Sequence, residues 1–215
     1  MTAGVEVEVK LSVSDSDAVR RLIEHPDPSR LAGFEGIGDV TEQVVVDRYV
    51  DTADGRLAAA GARARIRVTD DAAVLTLKHH GIEARGVTAR HEVEGPATES
   101  LDAVGWPGSV ARDELLALTR GAELVEIARL RQRRRVRHVR REETEVELSL
   151  DEMEALDGER VTASRWELEA ELKTGDREAL EELAGVLSMM PATAPATGSK
   201  LDFALAAHQS PSTEV

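Results

Sequence analysis

The sequence predicts an α+β fold built on an antiparallel sheet, either open or closed into a β-barrel. Three observations on the 215 residues support this prediction. Several segments alternate apolar and charged residues, which is typical of half-buried strands. Turn signals such as Asp-Gly and Asp-Asp separate neighbouring segments, as they do in hairpins. Only a few short stretches have the spacing of an amphipathic helix.

The strands are predicted from this alternation. Residues 5–11 place valines on one face of the first strand and Glu6, Glu8 and Lys10 on the other. The remaining strands are predicted at residues 43–52, 62–68, 73–79, 86–94, 124–139, 145–150 and 166–172, which gives about eight in all.

Short helices are expected between the strands and near the end of the chain. They are predicted at residues 18–24, 110–119, 177–189 and 200–208, with one helical turn at 56–60. Residues 14–17 offer N-caps for the first helix, Gly121 ends the second, and Gly175 and Asp176 begin the third. Residues rich in glycine or proline predict loops at 29–39, 95–110 and 191–198.

Composition limits the location and the chemistry of the protein. With 41 acidic and 27 basic residues, the chain has a formal net charge of −14, which on its own disfavours nucleic acid and phosphate ligands. The lack of cysteine excludes disulfides, thiolate metal sites and a cysteine nucleophile. No segment resembles a signal peptide or a membrane span, so a cytoplasmic protein is expected. Residues 1–208 fit one domain, and residues 209–215 fit a polar tail or linker.

The charged faces of the strands need an explanation. Three arginines share one face of residues 63–67, and three glutamates share one face of residues 167–171. Such neighbours lie about 6.8 Å apart and repel by roughly 2.4 kcal/mol at an effective dielectric of about 20. Solvent would screen this repulsion on an open sheet. The number of such strands instead favours a closed sheet whose interior charges meet divalent cations and a polyanion.

Two clusters of basic or metal-ligating residues have simpler interpretations. Residues 129–141 contain eight arginines but no aromatic residue, so a strand is favoured over a nucleic-acid patch. His79 and His80 have no third ligand at metal-binding spacing and are expected at a solvated strand end. The chain has only four lysines, Lys10, Lys78, Lys173 and Lys200, which suggests positions that require a compact charge.

An ordered set of motifs between residue 5 and about residue 205 resembles the CYTH superfamily, the triphosphate tunnel metalloenzymes. The motifs are Glu6-x-Glu8-x-Lys10, Tyr49-Val-Asp-Thr52, Arg65-Ile-Arg67, Leu75-Thr-Leu-Lys78, Arg90-x-Glu92, Arg131-x-Arg133, Asp151, Glu167-x-Glu169-x-Glu171 and Ser199-Lys200. Phe203 departs from the pattern, because many members have arginine there.

The resemblance implies an eight-stranded, closed antiparallel β-barrel around a triphosphate tunnel, with short helices packed outside. It also implies an Mg²⁺- or Mn²⁺-dependent triphosphatase, for which inorganic triphosphate is the expected substrate. An adenylate cyclase of class IV type, a thiamine triphosphatase and a non-catalytic module that binds polyphosphate or nucleotides are the alternatives. A homodimer and an appended helical CHAD domain are further expectations from the family.

The resemblance, together with the chemistry of each side chain, assigns roles to individual residues. The predicted metal ligands are Glu6, Glu8, Asp151, Glu169 and Glu171, with Glu167 as a weaker candidate. The predicted phosphate-binding residues are Lys10, Arg65, Arg67, Arg90, Arg131, Arg133 and Lys200. Lys78 and Tyr49 are the predicted catalytic pair beside the attacking water.

Overall fold

The computed structural model describes residues 3–209, and all strands in this range pair antiparallel in one sheet. The strands are β1 (Ala3–Val13), β2 (Glu35–Thr52), β3 (Ala62–Val68), β4 (Ala73–His79), β5 (Ile82–Ala84), β6 (Val87–Ala97), β7 (Leu124–Arg141), β8 (Thr144–Asp157), β9 (Arg160–Thr174) and β10 (Thr193–Pro195). Eight of them follow the order β1-β9-β8-β7-β2-β3-β4-β6, and β6 pairs with β1 to close the ring. The predicted closed sheet of eight antiparallel strands is therefore confirmed. The predicted tail lies outside the described residues, apart from Gln209.

Helices cover the outside of this ring. They are α1 (Ser16–Glu24), α2 (Arg56–Ala59), α3 (Val110–Thr119), α4 (Arg177–Ser188) and α5 (Lys200–Gln209). α1 and α4 bury the outward valines and leucines of β1, β8 and β9 in one apolar cluster. α2 and α3 do the same for β3, β4 and β6. Because strand side chains alternate, covering the apolar face turns the charged face inward.

Each of the three longer outer helices begins at a capping residue. The side chains of Asp15, Ser109 and Asp176 accept hydrogen bonds from backbone N–H groups in the first turns of α1, α3 and α4. Such a cap stabilises a helix by about 1 kcal/mol. The caps fix where these helices start relative to the strands that precede them.

The terminal helix α5 differs from the expectation that all helices pack outside. Its Leu201 and Ala204 form a buried cluster with Tyr49, Leu130 and Ala155. Leu130 shares its strand face with inward residues of β7, and Tyr49 lines the space inside the ring. α5 therefore closes one end of the ring from within, which places Lys200 next to the interior.

Other regions also differ from the sequence prediction, among them the starts of β2 and β9, the end of β8, and β10 within the predicted loop 191–198. Residues 29–39 were expected to be a loop, but β2 already begins at Glu35 because residues 35–37 pair with β7. The register is interrupted between Ile37 and Thr41, where Gly38 has a φ of 64° that suits glycine. β8 continues to Asp157, beyond the predicted end at residue 150, because β7 and β9 pair with both its edges. Within the described residues, no helix has the length and apolarity to cross a membrane.

Candidate active site

The interior of the ring contains a cavity of about 360 Å³. Among the described residues, nine lysines and arginines line it: Lys10, Arg63, Arg65, Arg67, Lys78, Arg90, Arg134, Lys173 and Lys200. Seven glutamates also line it: Glu6, Glu83, Glu92, Glu94, Glu147, Glu169 and Glu171. Four further carboxylates are buried close behind this lining, on Glu8, Asp47, Asp151 and Glu167. The charges in the interior are therefore nearly balanced, and most of the net charge of −14 lies elsewhere.

All four lysines of the sequence line this cavity, as Lys10, Lys78, Lys173 and Lys200. The surface of the chain uses arginine for its positive charges. An ammonium group is compact and donates in three directions, whereas a guanidinium is a planar fork. The distribution agrees with the interpretation that these positions need a compact charge.

At one side of the cavity, Glu6 and Glu8 interact with three basic side chains. Glu6 accepts hydrogen bonds from Lys78 at 2.8 and 3.1 Å and from Arg90 at 2.7 Å. Glu8 is buried, accepts a hydrogen bond from Arg90 and pairs with Lys10 at 3.2 Å. Burial raises the pKa of Glu6, but Lys78 and Arg90 outweigh this effect and hold the pKa far below its usual value. Glu6 is thus ionised at neutral pH.

A second network surrounds Glu169 at the end closed by α5. Lys10 lies 3.0 Å from the Glu169 carboxylate, Lys200 lies 3.1 Å from it, and Arg134 lies 3.5 Å from it. Lys200 and Arg134 also contact the fully buried Asp151. Burial opposes ionisation of Glu169, but Lys10 and Lys200 lower its pKa well below the usual value.

Asp47 organises the arginines of β3. Its fully buried carboxylate accepts hydrogen bonds from Arg67 at 2.7 and 2.8 Å, from Arg65 at 3.1 Å and from Gln132 at 2.5 Å. Burial raises the pKa of Asp47, but Arg65 and Arg67 outweigh it and the net shift is strongly downward. Nε of Arg65 is buried and has no hydrogen-bond partner among the described residues. A buried N–H without a partner is unusual and suits an anionic ligand.

Lys78 and Tyr49 both line the cavity, but their surroundings differ. Lys78 lies 2.8 Å from a carboxylate oxygen of Glu6 and 2.8 Å from one of Glu92. Burial, supported by Glu6 and opposed by Lys78, raises the pKa of Glu92 to about 7. Burial and the nearby Asp47 raise the pKa of the Tyr49 hydroxyl to about 12. Tyr49 is therefore a neutral donor at pH 7, whereas Glu92 can gain or lose a proton there.

One row of carboxylates crosses three neighbouring strands. Glu8 on β1 lies opposite Glu171 on β9, and Glu171 lies opposite Glu147 on β8. Like charges in such positions repel each other. Burial raises the pKa of Glu171 even though Lys173 lies 2.9 Å away. Carboxylate oxygens are the ligands that Mg²⁺ and Mn²⁺ prefer, so the donor chemistry of this row suits a divalent cation. The three carboxylates must move closer together to share one ion.

A comparison with protein families identifies the chain. The family model of the CYTH domain matches residues 4–201. The chain belongs to the CYTH domain family. A search of the curated proteins found no match.

Solved structures show the same fold as this CYTH domain. One is a protein from Hippeastrum that is provisionally called an adenylyl cyclase and has a dominant triphosphatase activity. It is 22% identical, the match covers 94% of this chain and 95% of that chain, and the TM-score is 0.68. A protein from Bacillus halodurans, provisionally called an adenylate cyclase, is 20% identical over 93% of this chain and 98% of that chain, with a TM-score of 0.59. Both likenesses concern the fold alone.

Most of the predicted site residues of the CYTH domain lie around one cavity. Those on its lining are Glu6, Lys10, Tyr49, Arg65, Arg67, Lys78, Arg90, Glu169, Glu171 and Lys200. Glu8 and Asp151 are buried behind the lining and contact lysines that belong to it. The weaker candidate Glu167 is buried on the same face of β9 and contacts Arg165 at 2.9 Å.

Arg131 and Arg133 do not reach the cavity, and their prediction as phosphate ligands is wrong. Their side chains are 44% and 60% exposed and pair with Glu154 and Glu152 on the outside of the ring. The inward residues of β7 are Gln132 and Arg134, which are both buried. The physical reason is the strand period of two: the prediction chose the opposite face of the same strand.

Sequence reasoning missed Asp47, Gln132, Arg134 and Arg165. Asp47 precedes Tyr49 by two residues, so the predicted inward position of Tyr49 already implied that Asp47 faces inward. Arg165 occupies the corresponding place before Glu167 on β9, and its guanidinium lies 4.5 Å from the ring centre of Phe203. Phe203 on α5 thus packs against an arginine from β9.

Proposed function

We propose that this CYTH domain is a metal-dependent triphosphatase that hydrolyses inorganic triphosphate inside the ring. The observation that carries the proposal is the cavity itself, in which nine described lysines and arginines converge on a space of about 360 Å³. A triphosphate chain has many anionic oxygens close together and needs several charge-assisted hydrogen bonds at once. The buried Nε of Arg65, which has no hydrogen-bond partner among the described residues, is one donor available to such an oxygen.

Two groups of basic residues would bind the two ends of the substrate. Arg65 and Arg67 are held in place by Asp47, so they lose little side-chain freedom when they bind a phosphate. Lys10 and Lys200 meet at Glu169 near the end closed by α5. Basic side chains that are held in position before the substrate binds can align its phosphorus atom with the attacking water. Such alignment is a main requirement of phosphoryl transfer.

The cation would be held by the carboxylates of Glu6, Glu8, Glu169 and Glu171. All four contact lysine or arginine side chains, so metal binding requires those ion pairs to rearrange. When bound, Mg²⁺ or Mn²⁺ supplies charge neutralisation of the phosphates and activation of water. Asp151 is fully buried by Lys200 and Arg134, and we assign it the task of positioning Lys200.

We assign to Lys78 and Glu92 the handling of the proton of the attacking water. A general acid or base works best when its pKa lies near the working pH, and the pKa of Glu92 is about 7. Lys78 holds Glu92 and Glu6 together and can donate to a phosphate oxygen as charge develops. The neutral hydroxyl of Tyr49 can orient the water but is a poor base.

The lining favours a substrate without a base or a thiazole ring. Tyr49 is the only Phe, Tyr or Trp on the described lining of the cavity, and it is buried in the cluster with α5. Stacking on exposed aromatic rings is the usual way in which proteins bind bases. Inorganic triphosphate needs none of this, so it is the proposed substrate, and ATP and thiamine triphosphate are expected to react more slowly.

Product analysis with three substrates tests the proposal. The purified chain is incubated with inorganic triphosphate, ATP or thiamine triphosphate and with Mg²⁺ or Mn²⁺, and phosphate, pyrophosphate and cyclic AMP are quantified. The highest kcat/KM is expected for inorganic triphosphate. Lys78→Gln should remove the activity, while Arg140→Gln, which removes a positive charge at a side chain that is 54% exposed, should not.

Two results would replace the proposal by an alternative. Cyclic AMP as the main product from ATP would identify an adenylate cyclase. Tight binding of triphosphate without turnover of any substrate, under both metals, would identify a non-catalytic binding module.

A further inference from the structure

A second group of potential metal ligands lies on the outer face of the ring. His79 ends β4, His91 lies on β6 and Glu114 lies on α3. Nε2 of His79 is 2.6 Å from Oε1 of Glu114, and the two imidazole rings have centroids 5.4 Å apart. Within the described residues, this is the one group of three or more such side chains whose ligand atoms all lie within 4.8 Å of one another.

The fold brings these residues together from three separate elements. Lys78 and Glu92 are direct partners in the pairing of β4 with β6, and both line the cavity. Their neighbours His79 and His91 therefore lie side by side on the opposite, outward face. α3 packs over this face with Leu115, and Glu114 completes the group. The sequence could not show this, because the histidines lie 12 positions apart in the chain and Glu114 lies a further 23 positions on.

We propose that His79, His91 and Glu114 form a site for a divalent transition-metal ion with the preferences of Zn²⁺. Two imidazoles and one carboxylate are a donor set that Zn²⁺ accepts, whereas Mg²⁺ takes oxygen ligands. Three protein ligands leave one tetrahedral position for water or an external ligand. The donor chemistry thus separates this outer site from the carboxylates inside the ring.

The geometry needs only a small adjustment to accept the ion. Ligand atoms around a tetrahedral Zn²⁺ are about 3.3 Å apart when the bonds are about 2.0–2.1 Å. The His79–Glu114 separation of 2.6 Å must lengthen slightly, and the larger separations, up to 4.8 Å, must shorten. His91 is exposed, so its ring can rotate toward the other two ligands without displacing the core.

An ion at this site would fix α3 to β4 and β6. Those strands carry Lys78, Arg90 and Glu92 on their inner faces. The ion should therefore stabilise the outer layer behind one wall of the cavity and raise the thermal unfolding temperature, because it binds the folded arrangement only.

Zn²⁺ titration followed by NMR of the imidazole nitrogens tests the proposal. The purified chain of 215 residues is saturated with Mg²⁺, so that the interior carboxylates are occupied, and ZnCl₂ is added. Long-range ¹H–¹⁵N spectra should show stoichiometric shifts of the ring nitrogens of His79 and His91, with those of His25 and His138 unchanged. Thermal unfolding should move to higher temperature at one equivalent of Zn²⁺.

Variants separate this site from adventitious binding. His91→Asn and Glu114→Gln should each weaken Zn²⁺ binding at least tenfold, measured by competition with a chromophoric chelator. His138→Asn is the matched control, because His138 also lies beside glutamates, at 2.9 Å from Glu145. Exposed His91 can be replaced without loss of the fold, which circular dichroism verifies. Unchanged Zn²⁺ affinity in His91→Asn, or shifts confined to other histidines, would overturn the proposal.

Discussion

The carboxylate of Asp47 accepts two hydrogen bonds from the guanidinium of Arg67, at 2.7 and 2.8 Å. This bidentate contact is fully buried on the carboxylate side, and Arg65 adds a third bond at 3.1 Å. The pair places two positive groups on the cavity wall and fixes their direction. The proposed phosphate-binding role of these arginines therefore depends on a carboxylate that does not line the cavity.

Asp47→Asn should weaken substrate binding. The amide keeps the size of the side chain but removes the negative charge and turns a donor toward the arginines, which then lose their fixed orientation. A lost charge-assisted hydrogen bond costs about 1.5–3 kcal/mol, so the KM for triphosphate should rise about tenfold or more. Steady-state kinetics checks this. Asp39→Asn, at an exposed position of the same strand, is the control and should leave KM unchanged. An unaltered KM in Asp47→Asn would show that Asp47 has no part in orienting the arginines.

Local signals predicted several elements with correct limits. β3, β4 and α3 have the predicted bounds because strong alternation or helical spacing ends at clear turn residues such as Gly61 and Gly121. Elements that the sequence did not predict form because of pairing with strands that are distant in the chain. Residues 35–37 join β2 because β7 offers unpaired backbone groups beside them, which no local pattern shows.

The inward face of a strand was predicted correctly where only one face is charged and incorrectly where both faces are charged. In β1 and β9, glutamates alternate with valine, alanine or leucine, so the inward face is evident. In β7, arginines occupy consecutive positions from Arg133 to Arg135, and the alternation no longer marks a face. A shift by one residue then exchanges every inward side chain for an outward one.

Arg134 and Arg133 test directly which face of β7 points into the cavity. Arg134 is 11% exposed and contacts Asp151 and Glu169, whereas Arg133 is 60% exposed. Arg134→Gln should reduce kcat/KM for triphosphate at least tenfold, because a charge is lost from the cavity wall. Arg133→Gln should stay within twofold of the unaltered chain, since exposed ion pairs contribute little. Equal losses in the two variants would contradict the assignment of the inward face.

Glu8→Gln tests the carboxylates as the source of metal dependence. Glu8 is only 3% exposed, pairs with Lys10 at 3.2 Å and lies opposite Glu171. Removing its charge keeps the shape of the side chain but takes away a proposed ligand of the type that hard cations prefer. Turnover measured against Mg²⁺ and Mn²⁺ concentration should fall to background at all concentrations. Glu152→Gln, at a 37% exposed side chain on β8, should keep the metal response of the unaltered chain. Full activity of Glu8→Gln would refute the assignment of this ligand.

The buried Glu167 predicts how stability depends on pH in metal-free protein. Burial, reinforced by Glu169, raises its pKa from 4.5 to about 7, and one of its oxygens has no hydrogen-bond partner among the described residues. The folded state therefore holds a proton that the unfolded state releases, and Glu167 makes stability fall as pH rises from about 4.5 to about 7. The lowered pKa values of Asp47 and Glu169 act only in more acidic solution.

Glu167→Gln should remove this contribution. Because the amide cannot ionise, the variant should be more stable than the unaltered chain by about 1–3 kcal/mol at pH 8 and nearly equal to it at pH 5. Urea unfolding in EDTA at both pH values measures the difference. Glu159→Gln, an exposed position in the turn between β8 and β9, should change stability equally little at both pH values. A loss of stability of the same size at pH 5 and pH 8 in Glu167→Gln would mean that its contact with Arg165, and not its ionisation, determines its effect on the fold.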